Sequence, residues 1–176
     1  MSVTIPVNVD TPYDVVIGRN LSKEILQQVL RENTTKLLIV CAPHVSNYAL
    51  ECASQLEGLG YEVSTQILPD GEEAKTIEVM ASLWDSAGLG RADAVIAVGG
   101  GASTDVGGFL AASWLRGIDF IAVPTTLLGM VDASVGGKTG INTPVGKNLV
   151  GAFHSPRRVV VDLDRLETLN HDDYRA

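Results

Sequence analysis

The sequence is poor in cysteine, in aromatic residues and in positive charge. Its two cysteines, Cys41 and Cys52, lie in apolar segments, which excludes a disulfide framework and predicts that both are small buried residues. Lysine and arginine total 13 against 21 acidic residues, so the net charge is −8. Because nucleic acids and anionic membranes bind basic surfaces, we expect neither as a partner.

Long apolar segments are also missing. The longest uncharged ones, "FIAVPTTLLGMV" and "AVIAVGGGAST", are too short to span a bilayer and are interrupted by proline or glycine. The first residues lack the basic and apolar regions of a signal peptide. The three histidines, His44, His154 and His171, have no metal-ligand spacing. We therefore expect a cytoplasmic protein with no metal site in this chain.

Apolar runs and helical patterns alternate along most of the chain. Residues 3–9 and 13–17 read as a hairpin whose first strand is placed at a sheet edge by Pro6. Such alternation predicts an α/β fold, Rossmann-like and doubly wound, with a mostly parallel sheet and an added β-hairpin region. The remaining predicted strands are 36–41, 61–68, 93–98, 119–123 and 158–164, and the predicted helices are 21–33, 45–57, 76–88 and 104–114.

The last part of the chain has a different composition. Residues 137–153 are rich in Gly, Thr and Asn without helical periodicity, which favours a long hairpin or an ordered loop. Residues 165–176 begin a helix-like pattern and then stop. We therefore expect the polypeptide to be the first part of a longer one.

The segment "GGKT" imitates the end of a phosphate-binding P-loop. A P-loop needs a glycine five residues before its Gly-Lys pair, but Asp132 stands five residues before Gly137. A carboxylate there would repel phosphate, and the preceding segment is predicted to be helical rather than extended. The P-loop interpretation fails.

A glycine-rich turn at residues 97–108 follows a predicted buried strand and precedes a helix. There the backbone can approach a pyrophosphate at the helix N-terminus. The strict dinucleotide spacing is not met, because Gly99 and Gly101 are followed by Thr104, so a merely tight turn stays an alternative. Asp105 can be a first-turn acid favoured by the helix dipole or a contact to a ligand hydroxyl.

Two further segments combine turn chemistry with polar side chains. In "PDGEEAKT", Glu72 and Lys75 are either an ordinary surface pair three residues apart or part of a site. Thr125 and Thr126 follow a predicted buried strand, where open α/β sheets bind ligands. As an alternative, either threonine can simply cap the following turn.

Charged residues cluster near the end of the chain. Lys138, Lys147 and Asn148 lie in the glycine-rich segment after Asp132, and Arg116 lies upstream. Single lysines are usually solvated, and an arginine at a helix end is often a dipole partner. Two lysines among small residues in an acidic chain instead favour binding of a phosphorylated or carboxylated small molecule.

These segments, in this order, closely resemble the N-terminal domain of the 3-dehydroquinate synthase family. The resemblance covers nearly the whole chain and is densest over residues 93–169, in "GGGASTDVGGFLAASWLRGIDFIAVPTTLLGMVDASVGGKTGIN", "GKNLVGAF" and "VVVDLDRLETL". It implies that residues 1–176 form an NAD-binding domain and that residues 165–176 start the connection to a helical, metal-binding C-terminal domain absent from this chain. Two departures, "GGGASTD" and Ala133, bear on cofactor geometry only.

The resemblance also implies residue roles. It places the substrate and catalytic contacts on Lys138, Asp132, Lys147, Asn148 and Arg116. The NAD contacts that it implies are Asp70, Gly71, Glu72, Glu73, Ala74, Lys75, Gly101, Ala102, Ser103, Thr104, Asp105, Thr125, Thr126, Lys138, Lys147, Arg165, Leu166, Glu167 and Thr168.

The family's reaction converts 3-deoxy-D-arabino-heptulosonate 7-phosphate to 3-dehydroquinate and phosphate in the shikimate pathway. It implies transient oxidation by NAD, β-elimination of phosphate, reduction and an intramolecular aldol closure, with zinc or cobalt bound outside this chain. The first metal-binding glutamate is expected just after Ala176. We therefore expect this chain to fold and bind NAD weakly but not to turn over substrate.

Other functions stay open at this point. Sugar-phosphate cyclases such as 2-deoxy-scyllo-inosose synthase share these motifs, metal-dependent glycerol dehydrogenases share the fold, and a non-catalytic NAD-binding module is the alternative of a different class. A homodimer is usual in the family.

Overall fold

The computed structural model describes residues 2–21 and 30–169. The predicted helix over 21–33 and the end of the 165–176 segment fall largely outside these ranges. The strands are β1 (Ser2–Val7), β2 (Tyr13–Gly18), β3 (Lys36–Cys41), β4 (Glu62–Ile67), β5 (Ala94–Gly99), β6 (Asp119–Pro124), β7 (Lys138–Thr143), β8 (Gly146–Phe153) and β9 (Arg158–Asp162). The helices are α1 (Ser46–Glu57), α2 (Ile77–Ser86) and α3 (Gly101–Ser113), with short helical turns at Pro43–Val45, Gly71–Ala74, Trp114–Arg116, Gly129–Ala133 and Leu163–Thr168.

Seven of these strands form one mixed sheet in the order β1-β2-β9-β6-β5-β3-β4. β1 pairs antiparallel with β2, and the other neighbours pair parallel. The predicted mostly parallel sheet with an added hairpin is confirmed. The hairpin of β1 and β2 places Pro6 on the edge strand, where a missing N–H does not interrupt a ladder.

Helices cover both faces of this sheet, as the continuous apolar strands predict. Leu37, Ile39 and Cys41 of β3 pack toward α1, whereas Leu38 and Val40 pack toward α2 and α3. Alternate residues of one strand thus enter two separate cores, which is the doubly wound arrangement. Both cysteines are buried and free, as predicted.

Helix α3 is packed between the sheet and a second hairpin. A Cβ at Gly107 would lie 2.7 Å from the Ala97 Cβ of β5, so the helix backbone approaches the sheet closely. The neighbouring Gly108 faces Thr139 of β7 in a similarly close contact. β7 and β8 form an antiparallel hairpin, which settles the choice left open for residues 137–153.

A buried carboxylate organises the amino-terminal edge of the sheet. Asp93 accepts backbone hydrogen bonds from Thr35 (3.0 Å), Lys36 (2.9 Å) and Gly90 (2.7 Å). Burial disfavours its charged form, but these donors outweigh burial and hold the pKa of Asp93 below its ordinary value.

In the described part of the chain, no helix is long and apolar enough to cross a membrane.

Candidate active site

The predicted binding segments follow the carboxyl ends of the parallel strands. The chain runs from β3 outward to β4 and then returns past β3 to β5, so the winding direction reverses between β3 and β5. Ligands of open α/β sheets bind outside the strand ends at such a reversal. Helix α3 begins there, directly after the β5 strand.

The glycine turn between β5 and α3 has no room for side chains. Gly99 has a φ of 153°, and a Cβ there would lie 2.5 Å from the Ser103 Oγ. At Gly101 a Cβ would lie 3.1 Å from the Ala133 Cβ. The first N–H groups of α3, those of Gly101, Ala102 and Ser103, have no intrahelical acceptor by helix geometry. They make the turn a surface suited to an anion.

Buried hydroxyl groups lie beside this turn. Thr125 is fully buried, and among the described residues its Oγ1 has no hydrogen-bond partner. The Oγ of Ser134 is likewise buried without a partner there. In contrast, the Thr126 Oγ1 accepts a hydrogen bond from the Gly129 N–H at 3.1 Å and so acts as a cap. A buried hydroxyl without a hydrogen-bond partner lowers the stability of the folded chain, so Thr125 and Ser134 differ from Thr126 in needing a further explanation.

The lysine of the 69–76 segment is buried and binds across the site. Only 3% of Lys75 is exposed, and its Nζ lies 2.5 Å from the Asp105 Oδ2 and 2.5 Å from the Asn148 Oδ1. Its distance to the Glu72 Oε1 is 4.0 Å. The alternative of an ordinary surface pair between Glu72 and Lys75 is therefore wrong, because Asp105 is the close partner of this lysine.

Asp105 is likewise more than a first-turn acid. Burial raises the pKa of its carboxyl above the ordinary value, and Glu72 adds a smaller rise, although Lys75 opposes both. Desolvation thus outweighs the ion pair. A carboxylate held at such a cost beside a lysine is typical of a functional site.

A cleft of about 500 Å³ lies between the β7–β8 hairpin and the turn at Gly129–Ala133. Asp105, Asp132, Lys138 and Asn148 line it together. Four of the predicted residues therefore meet in one cleft, with both charge signs present. Lys147 is exposed on β8 beside Asn148 and is not in the set that lines this cleft.

The structure does not bring Arg116 to this cleft. Arg116 lines a second cleft of about 440 Å³ that includes Asp119, the first residue of β6. That cleft lies at the amino-terminal edge of the sheet, on the opposite side from the glycine turn. The turn at 114–116 precedes β6 rather than following a strand, so this chain does not place Arg116 beside the two lysines. A substrate contact of Arg116 stays a prediction.

The outermost predicted contacts lie at the two ends of the carboxyl edge. After β9, the Arg165 guanidinium lies 4.4 Å from the centre of the Tyr48 ring, and Glu167 pairs with Arg19 at 2.6 Å. After β4, the Asp70 Oδ1 lies 3.6 Å from the His44 Nδ1. The other predicted residues here complete short turns at Gly71–Ala74 and Leu163–Thr168. β6, β5 and β3 separate the two ends.

Sequence reasoning missed Asn142 and Ser134. The Asn142 side chain donates to the Glu72 Oε2 at 2.6 Å and accepts from the Asn148 N–H at 2.9 Å. Asn142 lies between Ile141 and Thr143 in a strand, and no local sequence pattern marks it as a site residue. Its hydrogen-bond partners are 6 and 70 positions away in the sequence. Across residues 2–21 and 30–169, no group of three or more His, Cys, Asp or Glu side chains can hold a metal ion.

Comparison with known proteins identifies the family to which this chain belongs. The family model described as 3-dehydroquinate synthase N-terminal matches residues 65–176. A 3-dehydroquinate synthase of Corynebacterium efficiens is 47% identical over 98% of this chain and 48% of its own length. One of Mycobacterium leprae is 51% identical over 95% of this chain and 46% of its own length. The chain spans about half the length of the curated relatives that it matches.

Solved structures show the same fold. A 2-deoxy-scyllo-inosose synthase complexed with carbaglucose-6-phosphate, NAD+ and Co2+ aligns with a TM-score of 0.81 at 28% identity, over 95% of this chain and 46% of that one. A 2-epi-5-epi-valiolone synthase of Streptomyces hygroscopicus with NAD+ and Zn2+ bound has a TM-score of 0.81 at 31% identity, over 96% of this chain and 48% of that one.

The family model covers more than half of the chain, and the similarity to the curated relatives extends along nearly all of it. The chain therefore belongs to the 3-dehydroquinate synthase family.

Proposed function

We propose that this chain is the NAD-binding part of a 3-dehydroquinate synthase, which converts 3-deoxy-D-arabino-heptulosonate 7-phosphate to 3-dehydroquinate and phosphate. The observation that carries the proposal is the buried Lys75, held between Asp105 and Asn148 beside the cleft that Lys138 lines. The names of the curated relatives support the reaction. The rest of the enzyme would supply the second domain.

The residues of the glycine turn fit NAD. The side-chain-free backbone at Gly99 and Gly101 and the first N–H groups of α3 suit the pyrophosphate. The unpartnered Thr125 hydroxyl suits a polar group of the same ligand. When bound, NAD supplies a hydride acceptor that is regenerated later in the cycle. The NAD+ in the two related structures supports this assignment.

The cleft residues suit a phosphorylated polyol. The Lys138 ammonium group can bind an anionic oxygen and stabilise charge as phosphate leaves, and the Asp132 carboxylate can accept hydrogen bonds from substrate hydroxyls. Asn148 also lines the cleft and can offer its amide donors there, since its Oδ1 is bound to Lys75. Lys147, exposed and adjacent to Asn148 in sequence, would add positive potential near the cleft.

We assign the divalent metal to ligands outside this chain. The related structures contain Co2+ or Zn2+, whereas the described residues offer no ligand cluster. This chain alone with added zinc should therefore release no phosphate from the heptulosonate phosphate. Robust phosphate release in a coupled assay would refute the proposal that the metal ligands lie outside this chain.

Calorimetric titration of the chain with NAD tests the cofactor assignment. Thr125→Val keeps the shape of the buried side chain and removes its unpartnered hydroxyl, so the stability should be unchanged or higher while the NAD affinity falls about 10-fold. The matched control is Thr34→Val, whose hydroxyl donates to the Ala92 carbonyl at 2.8 Å at the other edge of the sheet. It should lose stability and keep NAD affinity.

Two results would contradict the assignment: no heat of NAD binding to the unmodified chain, or equal NAD affinity of both threonine variants.

A sugar-phosphate cyclase of another specificity is the second candidate function, because the structural neighbours include 2-deoxy-scyllo-inosose synthase. Identification of the carbocycle made by the whole enzyme separates the two. The identity of 47–51% to the 3-dehydroquinate synthases named above favours the first.

A further inference from the structure

Four residues at the cleft, Asn142, Glu72, Lys75 and Asn148, form a closed ring of polar contacts, which we call the Asn142 ring. Asn142 donates to Glu72 at 2.6 Å and accepts from the Asn148 N–H at 2.9 Å. Asn148 in turn accepts from the Lys75 Nζ at 2.5 Å, and Lys75 lies 4.0 Å from Glu72. The ring joins the turn at Gly71–Ala74 to the β7–β8 hairpin.

The orientation of the Asn142 amide is fixed by its partners. A backbone N–H can only donate, so it must meet the amide oxygen, and a carboxylate can only accept, so it must meet the amide nitrogen. The Asn142 backbone N–H also donates to the Lys75 carbonyl at 2.8 Å. Asn142 therefore makes three hydrogen bonds, each to a different member of the ring.

Asn148 receives support from this ring. Its φ is 55°, a left-handed conformation that few residues adopt and that asparagine tolerates better than most, especially with a local hydrogen bond. The hydrogen bond from its N–H to the Asn142 Oδ1 holds that conformation and aims the Asn148 side chain at Lys75. Without that acceptor, the contact between the Asn148 side chain and the Lys75 ammonium group should weaken.

We propose that Asn142 is a positioning residue that holds Asn148 against Lys75, and thereby keeps Lys75 buried beside Asp105. That Lys75 and Asp105 serve a bound nucleotide rests on the proposed function. The hairpin itself does not depend on Asn142, because Ile141 is buried and Thr139 packs on Gly108. Loss of Asn142 should therefore loosen the ring without unfolding the hairpin.

Chemical labelling of Lys75 tests this role without any ligand. Asn142→Asp keeps an acceptor but replaces the donor to Glu72 with a second carboxylate. Repulsion between the two carboxylates should displace the new side chain from Glu72 and from the Asn148 N–H together, which opens the ring. We expect acylation of Lys75, followed by mass spectrometry and normalised to Lys36, whose side chain is 43% exposed, to speed up about 10-fold. Asn33→Asp, an exposed turn residue, is the matched control and should leave the Lys75 rate unchanged.

The double variant Asn142→Asp with Glu72→Gln supplies the decisive comparison. The new carboxylate can still accept from the Asn148 N–H, and the new amide can donate to it, so the contact is rebuilt with donor and acceptor exchanged. Labelling of Lys75 should return to within about 2-fold of the unmodified chain. An unchanged Lys75 rate in the single variant, or no recovery in the double variant, would overturn the proposal.

Titration of the same variants with NAD gives a second readout. Affinity should fall about 10-fold in the single variant and recover in the double variant, while the melting temperature of the single variant changes little. If the unmodified chain does not bind NAD, the proposed function fails, but the labelling experiment still decides the role of Asn142.

Discussion

A methyl group added at Gly107 should push α3 away from the sheet and lower the stability of the chain. In Gly107→Ala, the new Cβ would lie 2.7 Å from the Ala97 Cβ and 2.9 Å from the Val40 Cγ2. Both neighbours belong to central strands with no exposed surface, so neither can move aside freely. The helix must shift outward, and its first turn and Asp105 must shift with it.

Two opposing effects set the size of the change. Alanine is favoured over glycine inside a helix by about 0.5–1 kcal/mol. Overpacking of a close-packed core costs about 1–3 kcal/mol. Because the distances lie well inside normal contact, overpacking should win, and we expect a net loss of about 0.5–2 kcal/mol in the free energy of unfolding.

The measurement is urea unfolding at pH 7 and 25 °C, compared with Gly58→Ala. Gly58 ends α1 with a φ of −62°, and a Cβ there would meet only atoms at 3.4 Å, so that variant should be neutral or slightly stabilised. The reasoning is refuted if Gly107→Ala is as stable as the unmodified chain. A stabilised Gly107→Ala would mean that α3 packs less closely than the structure shows.

Three other substitutions have outcomes that the structure fixes. Asp93→Asn should lower the free energy of unfolding by about 1–3 kcal/mol at pH 7. Because the pKa of Asp93 is lowered, its contribution to stability is present above the ordinary value of 3.8 and is lost as pH falls through the folded pKa. Urea unfolding at pH 3 should therefore show a smaller stability difference between the variant and the unmodified chain. Lys75→Met should cost about 3–5 kcal/mol at pH 8 by leaving Asp105 unpaired. The loss should shrink toward pH 4 as the Asp105 carboxyl, whose pKa is already raised, takes up a proton, and a constant loss across that range would contradict the pairing. Gly99→Ala should lower the melting temperature, because the new methyl group would overlap the Ser103 side chain at a φ of 153°.

The sheet was predictable because its signals are local. Residues 36–41 and 93–98 are short continuous apolar runs, and each forms a strand buried on both faces. Glycines at the ends of helical patterns marked the helix ends correctly to within a few residues. The order of the strands was not predictable in this way, since the position of β9 between β2 and β6 depends on packing between distant segments.

The site was predictable only in part, for the same reason. Lys75, Asp105 and Asn148 were each singled out, but nothing local indicates that residues 30 and 73 positions apart share hydrogen bonds. The surface-pair alternative for Lys75 arose because a three-residue spacing is a local signal. The structure overrides it with a partner on another helix.

The ion pair of Lys75 and Asp105 is better explained by function than by folding. Burial raises the pKa of Asp105 even with the lysine 2.5 Å away, so desolvation costs more than the pair returns. An apolar pair of similar volume would pack beside α3 without that cost. The chain nevertheless places both charges beside a glycine turn and a cleft lined by Lys138, where a ligand with phosphate and hydroxyl groups would need them. The same reasoning applies to the role proposed for Asn142: a buried lysine that serves a ligand has to be held in position by its neighbours, and the Asn142 ring supplies those contacts.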